Sequence, residues 1–241
     1  MASSQPKFWA EQIAERAIEE AKRRGFKVVT CRSGQTPSGA KHIGNFNDNI
    51  RSYFVAKFIE RLGYRARHVQ THDDMDPLRK IPKRVVDLDG KWHELSDEEL
   101  RKLSNYVGFP LVSVPDPFGC CDSWATHFER VWEKGCRMAG ITKTEYYRNV
   151  DLYKQGKFDE FIRRVFERIE VVRKILMKYK TTKTPEYYPF WVICENCGRL
   201  TGKVYDVDLE SQTVYYECTS RALAGKYVVP SCGYKGSVSW N

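Results

Sequence analysis

What most restricts the fold of this chain is a short apolar run, a glycine-bearing loop, a long amphipathic stretch and a second apolar run, all within residues 26–71. Phe26-Lys27-Val28-Val29-Thr30-Cys31 is rich in β-branched residues and reads as a buried strand. Residues 32–40 hold Gly34, Pro37, Ser38 and Gly39, a composition that interrupts regular structure and reads as a turn-rich loop. Over residues 44–62, Ile50, Phe54, Phe58 and Ile59 recur at helical spacing, and Gly63 closes the helix. Residues 66–71 then read as a second strand. Two strands joined through a helix lie parallel, because such a crossover returns the chain to the same end of the sheet. The expected fold class is therefore α/β, with a Rossmann-like parallel sheet.

The remaining sequence does not extend that pattern. A helix is expected over residues 8–24, with Trp9, Ala10, Ile13, Ala14, Ala17 and Ala21 along one face and Gly25 as its stop. Further helices are expected over residues 97–105, over 122–138 with Trp124, Phe128, Val131 and Trp132, and as one long helix over 158–179. From residue 188 onward the chain reads as a small strand-rich unit built around cysteines. Three segments follow: 1–85 as the first half of a nucleotide-binding domain, 86–187 as a mostly helical insertion, and 188–241 as a cysteine module. No run of eighteen apolar residues occurs, and residues 1–6 lack the features of a secretory signal, so a cytosolic address is expected. The net charge of +9 suits a polyanionic partner.

The densest chemistry lies at Thr36-Pro37-Ser38-Gly39-Ala40-Lys41-His42-Ile43-Gly44-Asn45, where strand hands over to helix. Free backbone N–H groups and the positive end of a helix dipole there favour a phosphate chain. His42 offers a hydrogen bond to a phosphate oxygen as charge builds, Gly44 leaves room for a flat base, and Thr36, Ser38 and Asn45 add neutral donors. After the second strand, Asp73, Asp74 and Asp76 put a negative cluster at the carboxyl end of the sheet, where such folds bind ligands. A carboxylate there holds a substrate ammonium, or else it caps the loop and pairs with Arg79 and Lys80.

Eight cysteines in a reducing compartment point to metal rather than to disulfides. Cys194, Cys197, Cys218 and Cys232 supply the four thiolates of a closed structural zinc site. Asp116, Cys120, Cys121 and His127 are a second set of ligand type, with a less decisive spacing. Cys31 and Cys136 stand alone and read as small buried hydrophobes.

His42-Ile43-Gly44-Asn45 after the Thr36-Pro37-Ser38-Gly39 loop resembles the HIGH signature of class I aminoacyl-tRNA synthetases. Three further segments are similar to those of class I lysyl-tRNA synthetases, in the same order. These are residues 73–82, residues 115–128, and the Cys194-Glu195-Asn196-Cys197-Gly198-Arg199 segment with Cys218 and Cys232. The resemblance implies activation of lysine by ATP to lysyl-adenylate, transfer to tRNA(Lys), and two zinc ions. It assigns His42, Asn45 and Thr36 to catalysis, and Thr36, Pro37, Ser38, His42, Gly44 and Asn45 to ATP. Gly34, Asp74 and Asp76 fall to the substrate, and the two ligand sets above to metal.

The sequence departs from that family twice. Cys121 stands where the family commonly has a histidine after the first cysteine, which leaves a softer and more negative ligand set. The family's second signature, KMSKS, does not occur; Lys180-Thr181-Thr182-Lys183-Thr184 echoes it but precedes the cysteine module instead of following it. The chain is thus expected to be the first half of such a catalytic region, and inactive alone. The alternatives are an adenylyl-transferring tRNA-modifying paralogue and a non-catalytic zinc-ribbon nucleic-acid binder. Arg79, Lys80, Lys83 and Arg84 form a basic run that is either a solvated face or a track for the tRNA acceptor stem.

Overall fold

The computed structural model describes residues 7–179, 184–223 and 227–240. Residues 1–6, and Lys180 to Lys183 of the KMSKS echo, lie outside the described residues. In chain order the elements are α1 (Trp9–Arg23), β1 (Val28–Gln35), α2 (Ile43–Arg61), β2 (Arg65–His72), β3 (Arg84–Val86) and β4 (Trp92–Glu94). Then come α3 (Asp97–Ser104), a 3-10 turn (Leu111–Ser113), α4 (Trp124–Met138), β5 (Glu145–Arg148), α5 (Asn149–Lys154), α6 (Asp159–Glu167) and α7 (Ile169–Met177). The last part holds β6 (Trp191–Val192), β7 (Gly202–Asp208), β8 (Thr213–Cys218), β9 (Arg221–Leu223), β10 (Tyr227–Val229) and β11 (Lys235–Ser239). Among the described residues no helix is long and apolar enough to cross a membrane.

The first sheet is parallel, in the order β1-β2-β5. Ala10, Ala14 and Ile18 of α1 pack with Cys31 of β1 and with Val55, Ala56 and Ile59 of α2 in one apolar cluster. Tyr53 of α2 meets Trp132, Cys136 and Ile141 in another, so helices from distant parts of the chain cover the sheet. The central strand carries a polar sequence in a buried place: His68, Gln70, Thr71 and His72 are all buried. Partners offset that desolvation. His68 bonds Ser52 and Thr144, Gln70 accepts from Asn49, and His72 meets Gln35 and Glu133.

Three expectations need correction. The first strand runs to Gln35 instead of stopping at Cys31, because Arg32, Ser33, Gly34 and Gln35 continue the ladder against Val69, Gln70, Thr71 and His72. The expected single helix over 158–179 is two, divided at Arg168, whose φ of −116° and ψ of 27° leave the helical region. Neither proline nor glycine marks that break. Finally, the sheet gains a third strand, β5, from the stretch read as helical. Its four residues are too short for a periodic signal, and its pairing with Val69–His72 across about seventy residues leaves no local trace.

β6, β7, β8 and β11 form a separate antiparallel sheet in the order β11-β8-β7-β6, and β9 and β10 pair antiparallel with each other. Its core combines Val192, Val204, Val214, Tyr216 and Trp240 with two cysteines and with Phe166 from α6.

Candidate active site and metal centres

The carboxyl ends of β1 and β2 open into a cleft of about 950 Å³. Gly34, Thr36, Ser38, Lys41, His42 and Asn45 line it from one segment, and Asp73, Arg79, Lys80, Arg84 and Trp92 from another. Pro37 and Gly44 are not among its lining residues.

His42 is the N-cap of α2. Its Nδ1 accepts from the Gly44 N–H at 3.0 Å, while the Asn45 side chain accepts from the His42 N–H at 3.4 Å. This reciprocal capping satisfies two of the helix's orphan donors. It also fixes the chemistry of the ring. With Nδ1 spent as an acceptor, the proton of the neutral imidazole sits on Nε2, so the exposed edge is a donor. Gly44 serves the same ring, since a Cβ there would lie 2.8 Å from Cε1 and 2.9 Å from Nδ1 of His42. The expected room for a base is occupied first by the histidine itself. Gly44→Ala is therefore expected to displace the imidazole and to lower any His42-dependent rate. The melting temperature should change little, since alanine's better helix propensity of up to about 1 kcal/mol offsets the loss of a cap of about the same size. Thermal melts beside activity assays test this; full activity would separate the glycine from the histidine's position.

Thr36 donates to Asp76 at 2.9 Å, which ties the loop after β1 to the loop after β2. Lys41 donates to Ser38 at 3.2 Å, and burial pushes its ammonium below the ordinary lysine range, partly offset by Asp76. The three aspartates part company. Asp74 is fully buried, accepts from the Val150 N–H at 3.0 Å and lies 3.5 Å from Arg148, so its carboxylate turns into the fold and is not part of the lining of this cleft. Asp73 instead reaches the cleft, accepts from Asn149 at 3.0 Å, and is raised above the usual carboxylate range by burial and then by Asp76. Asp73 and Asp76 also line an adjoining cavity of about 440 Å³ with Met75, Tyr153, Phe190 and Trp191. The sequence placed all three acids at the end of one strand but could not show which of them turn inward. Lys41 was legible only as a neighbour of His42.

Both ligand sets converge. The donor atoms of Cys194, Cys197, Cys218 and Cys232 all lie within 4.8 Å of one another, as do those of Asp116, Cys120, Cys121 and His127. In the first set Cys194 and Cys232 sulfurs are 3.6 Å apart, and those of Cys197 and Cys218 3.8 Å. A tetrahedron with metal–sulfur bonds of about 2.3 Å needs sulfurs about 3.8 Å apart, so these thiols fit a structural metal. Burial pushes the Cys194 thiol up to about 12, whereas a hydrogen bond from Asn196 holds Cys232 at about 6. Gly198, with φ of 72°, turns the knuckle where a Cβ would strike the Phe109 ring at 2.5 Å.

In the second set His127 Nε2 donates to the Val86 carbonyl at 2.9 Å, which leaves the Nδ1 lone pair facing Asp116 Oδ1 at 3.3 Å and Cys120 Sγ at 3.4 Å. Such an outer carbonyl is the usual means of fixing a ligating imidazole. The Arg130 guanidinium donates to Cys121 Sγ at 3.4 Å, which offsets the extra negative charge that a thiolate brings in place of an imidazole.

The chain, with its parallel sheet and a helix-capping histidine at the sheet's carboxyl edge, belongs to the family described as tRNA synthetases class I (K), whose model matches residues 7–241. Among curated relatives it is similar to the "Lysine--tRNA ligase" of Halobacterium salinarum, with 37% identity over 96% of this chain and 41% of the relative. It is similar also to that of Haloarcula marismortui, at 36% over 96% of this chain and 42% of the relative. The Pyrococcus furiosus "Lysine--tRNA ligase" is 36% identical over 87% of this chain and 38% of the relative. The chain thus spans about two fifths of the length of the curated relatives it matches.

Proposed function

We propose that this chain supplies the ATP-handling part of a lysine-tRNA ligase, which joins lysine to ATP as lysyl-adenylate and then passes the lysyl group to tRNA(Lys). The observation that carries the reading is the capping of α2 by His42, which leaves an Nε2–H donor among the residues that line the cleft of about 950 Å³. The lysine carboxylate attacks the α-phosphate in line, and pyrophosphate departs. His42 donates to the phosphate oxygen as charge develops, Asn45 and Thr36 hold the loop, and the first N–H groups of α2 face the phosphates. Ser38 and Lys41 complete the phosphate contacts, and Gly34 keeps the end of β1 open to the substrate. Asp73 and Asp76 are the carboxylates available for an ammonium, in place of the buried Asp74.

The same proposal takes residues 1–85 as the nucleotide half, 86–187 as an insertion that lends β5 to the sheet, and 188–241 as a zinc ribbon acting in the cytoplasm. The metal at both ligand sets is proposed to be zinc, since thiolate-rich tetrahedral sites select it. Metal analysis of the purified chain should return close to two equivalents of zinc. One equivalent, lost on Cys197→Ser, would confine zinc to the ribbon. The function itself is tested by exchange of labelled pyrophosphate into ATP, in the protein that carries this chain. Exchange should depend on lysine; dependence on another amino acid would overturn the assignment.

A further inference from the structure

The second ligand set has a feature that metal binding does not require. Two of its four donors are thiols of adjacent residues, and the Cys120 and Cys121 sulfurs lie 3.5 Å apart. An imidazole at position 121 would complete the same tetrahedron with less negative charge to offset. Two thiols side by side add something else: they can be oxidised together, giving up two electrons to form one bond.

The surroundings suit that reaction. Cys120 is exposed and Cys121 partly so, whereas Cys31, Cys136, Cys194 and Cys218 are buried. Cys232 of the ribbon is exposed too, but the sulfur 3.6 Å from it belongs to the buried Cys194. The Arg130 guanidinium donates to Cys121 Sγ at 3.4 Å. Reactive cysteines occupy electropositive, partly exposed places of this kind, and redox-responsive ones have a resolving cysteine at hand. The backbone keeps the pair together, since Asp116 Oδ2 accepts from the Cys120 N–H at 2.7 Å and from the Cys121 N–H at 2.8 Å.

We infer that Cys120 and Cys121 are a redox-sensitive pair, oxidised by peroxides to a disulfide that releases the metal from this set. First the Cys121 sulfur attacks one peroxide oxygen and the O–O bond breaks. The sulfur keeps that oxygen as a sulfenic acid, and the other oxygen leaves as hydroxide and is protonated to water. Then the Cys120 sulfur attacks the Cys121 sulfur, the S–O bond breaks, and the second oxygen also leaves as water. Two thiolates, one hydrogen peroxide and two protons thus give one disulfide and two waters; the sulfurs lose two electrons and the peroxide oxygens gain them. Both thiolates are then spent, and Asp116 and His127 alone are too few to hold a tetrahedral ion. The disulfide is also strained, because neighbouring Cα atoms lie about 3.8 Å apart, closer than in ordinary disulfides. Strained disulfides are readily reduced, so a dithiol restores the ligand set. The inference rests on the proposed metal reading only for the release of metal, and the sulfur chemistry stands on the geometry of the pair.

The test adds hydrogen peroxide to the metal-loaded chain, follows released zinc with a chromogenic chelator, and weighs the tryptic peptide of residues 103–130, whose only cysteines are these two. Expected is the loss of about one of two zinc equivalents, with that peptide lighter by two hydrogens, and recovery of both on adding dithiothreitol and zinc. Cys121→His keeps a ligand at the position and should retain its metal at peroxide levels that empty the unaltered site. Metal release with the peptide still reduced, or equal release from Cys121→His, would overturn the inference. So would a peptide that gains oxygen instead of losing hydrogen, since sulfinic acids are not restored by thiols. A chain that holds only one equivalent before peroxide would count against metal at this set, and the peptide mass decides the disulfide either way. Circular dichroism checks that Cys121→His is folded, and the unaltered chain gives its answer without any variant.

Discussion

On the proposed ligase reading, and in the protein that carries this chain, His42→Ala is expected to slow lysine-dependent pyrophosphate exchange by about 10²–10³ while leaving lysine binding within a few-fold, as removal of a preorganised oxyanion donor does elsewhere. The physical reason lies in the cap of α2. The ring is oriented by its own backbone, since Nδ1 accepts from the Gly44 N–H and Gly44 has no Cβ to push it away. A donor held in this way needs no reorganisation as charge collects on the phosphate, and its effect falls on the transition state more than on bound ATP. The substitution also removes a helix cap. That costs about 1 kcal/mol of stability, which a thermal melt reports separately from the rate. Asn at position 42 would keep a cap but place its donor differently, so His42→Asn should recover stability without recovering the rate. An exchange rate within about threefold of the unaltered protein would remove His42 from the chemistry.

That prediction could be made from sequence because everything that seats His42 is local. Strand, loop and helix follow one another within residues 28–61, and the cap, the glycine and the asparagine lie within four positions. The cysteine set was equally legible, since a C-x-x-C followed by two more cysteines has few other uses, although their convergence joins residues as far apart as Cys194 and Cys232. What could not be read was decided by packing across long separations. Asp74 turns inward because Val150 and Arg148, more than seventy residues later, accept the cost of its burial. β5 joins the sheet through a ladder to β2 that no pattern of four residues announces. Cys136, read as a plain buried hydrophobe, does lie in an apolar cluster, but it also takes a hydrogen bond from Asn49 at 3.3 Å. The role of Gly44 was assigned to the ligand, whereas the structure gives that space to the neighbouring side chain.

Stripping the metal from the four-cysteine set is expected to unfold the β6–β7–β8–β11 sheet while the parallel sheet persists. The core of that module is small, and Cys194 and Cys218 are themselves among its buried residues. A unit of this size buries too little apolar surface to offset its chain entropy, so a structural metal supplies most of its folding free energy. Without a cation the converging sulfurs cannot all remain thiolates, and Cys194 is already pushed up to about 12 by burial. The parallel sheet has its own clusters from α1, α2 and α4 and does not draw on the thiols. The seam between the two feels the loss first. Leu200 N–H donates to the Gly108 carbonyl at 2.8 Å, and Arg199 donates to Val107 at 3.2 Å, so the loop beside Leu78 loses its partner when the knuckle opens. Hydrogen exchange after chelation, or in Cys197→Ser, should show β7 and β8 exchanging freely, residues 105–109 partly exposed, and β1 and β2 still protected. Unchanged protection in β7 and β8, with the metal content measured at zero and the thiols reduced, would show that the ribbon is held by its apolar core alone.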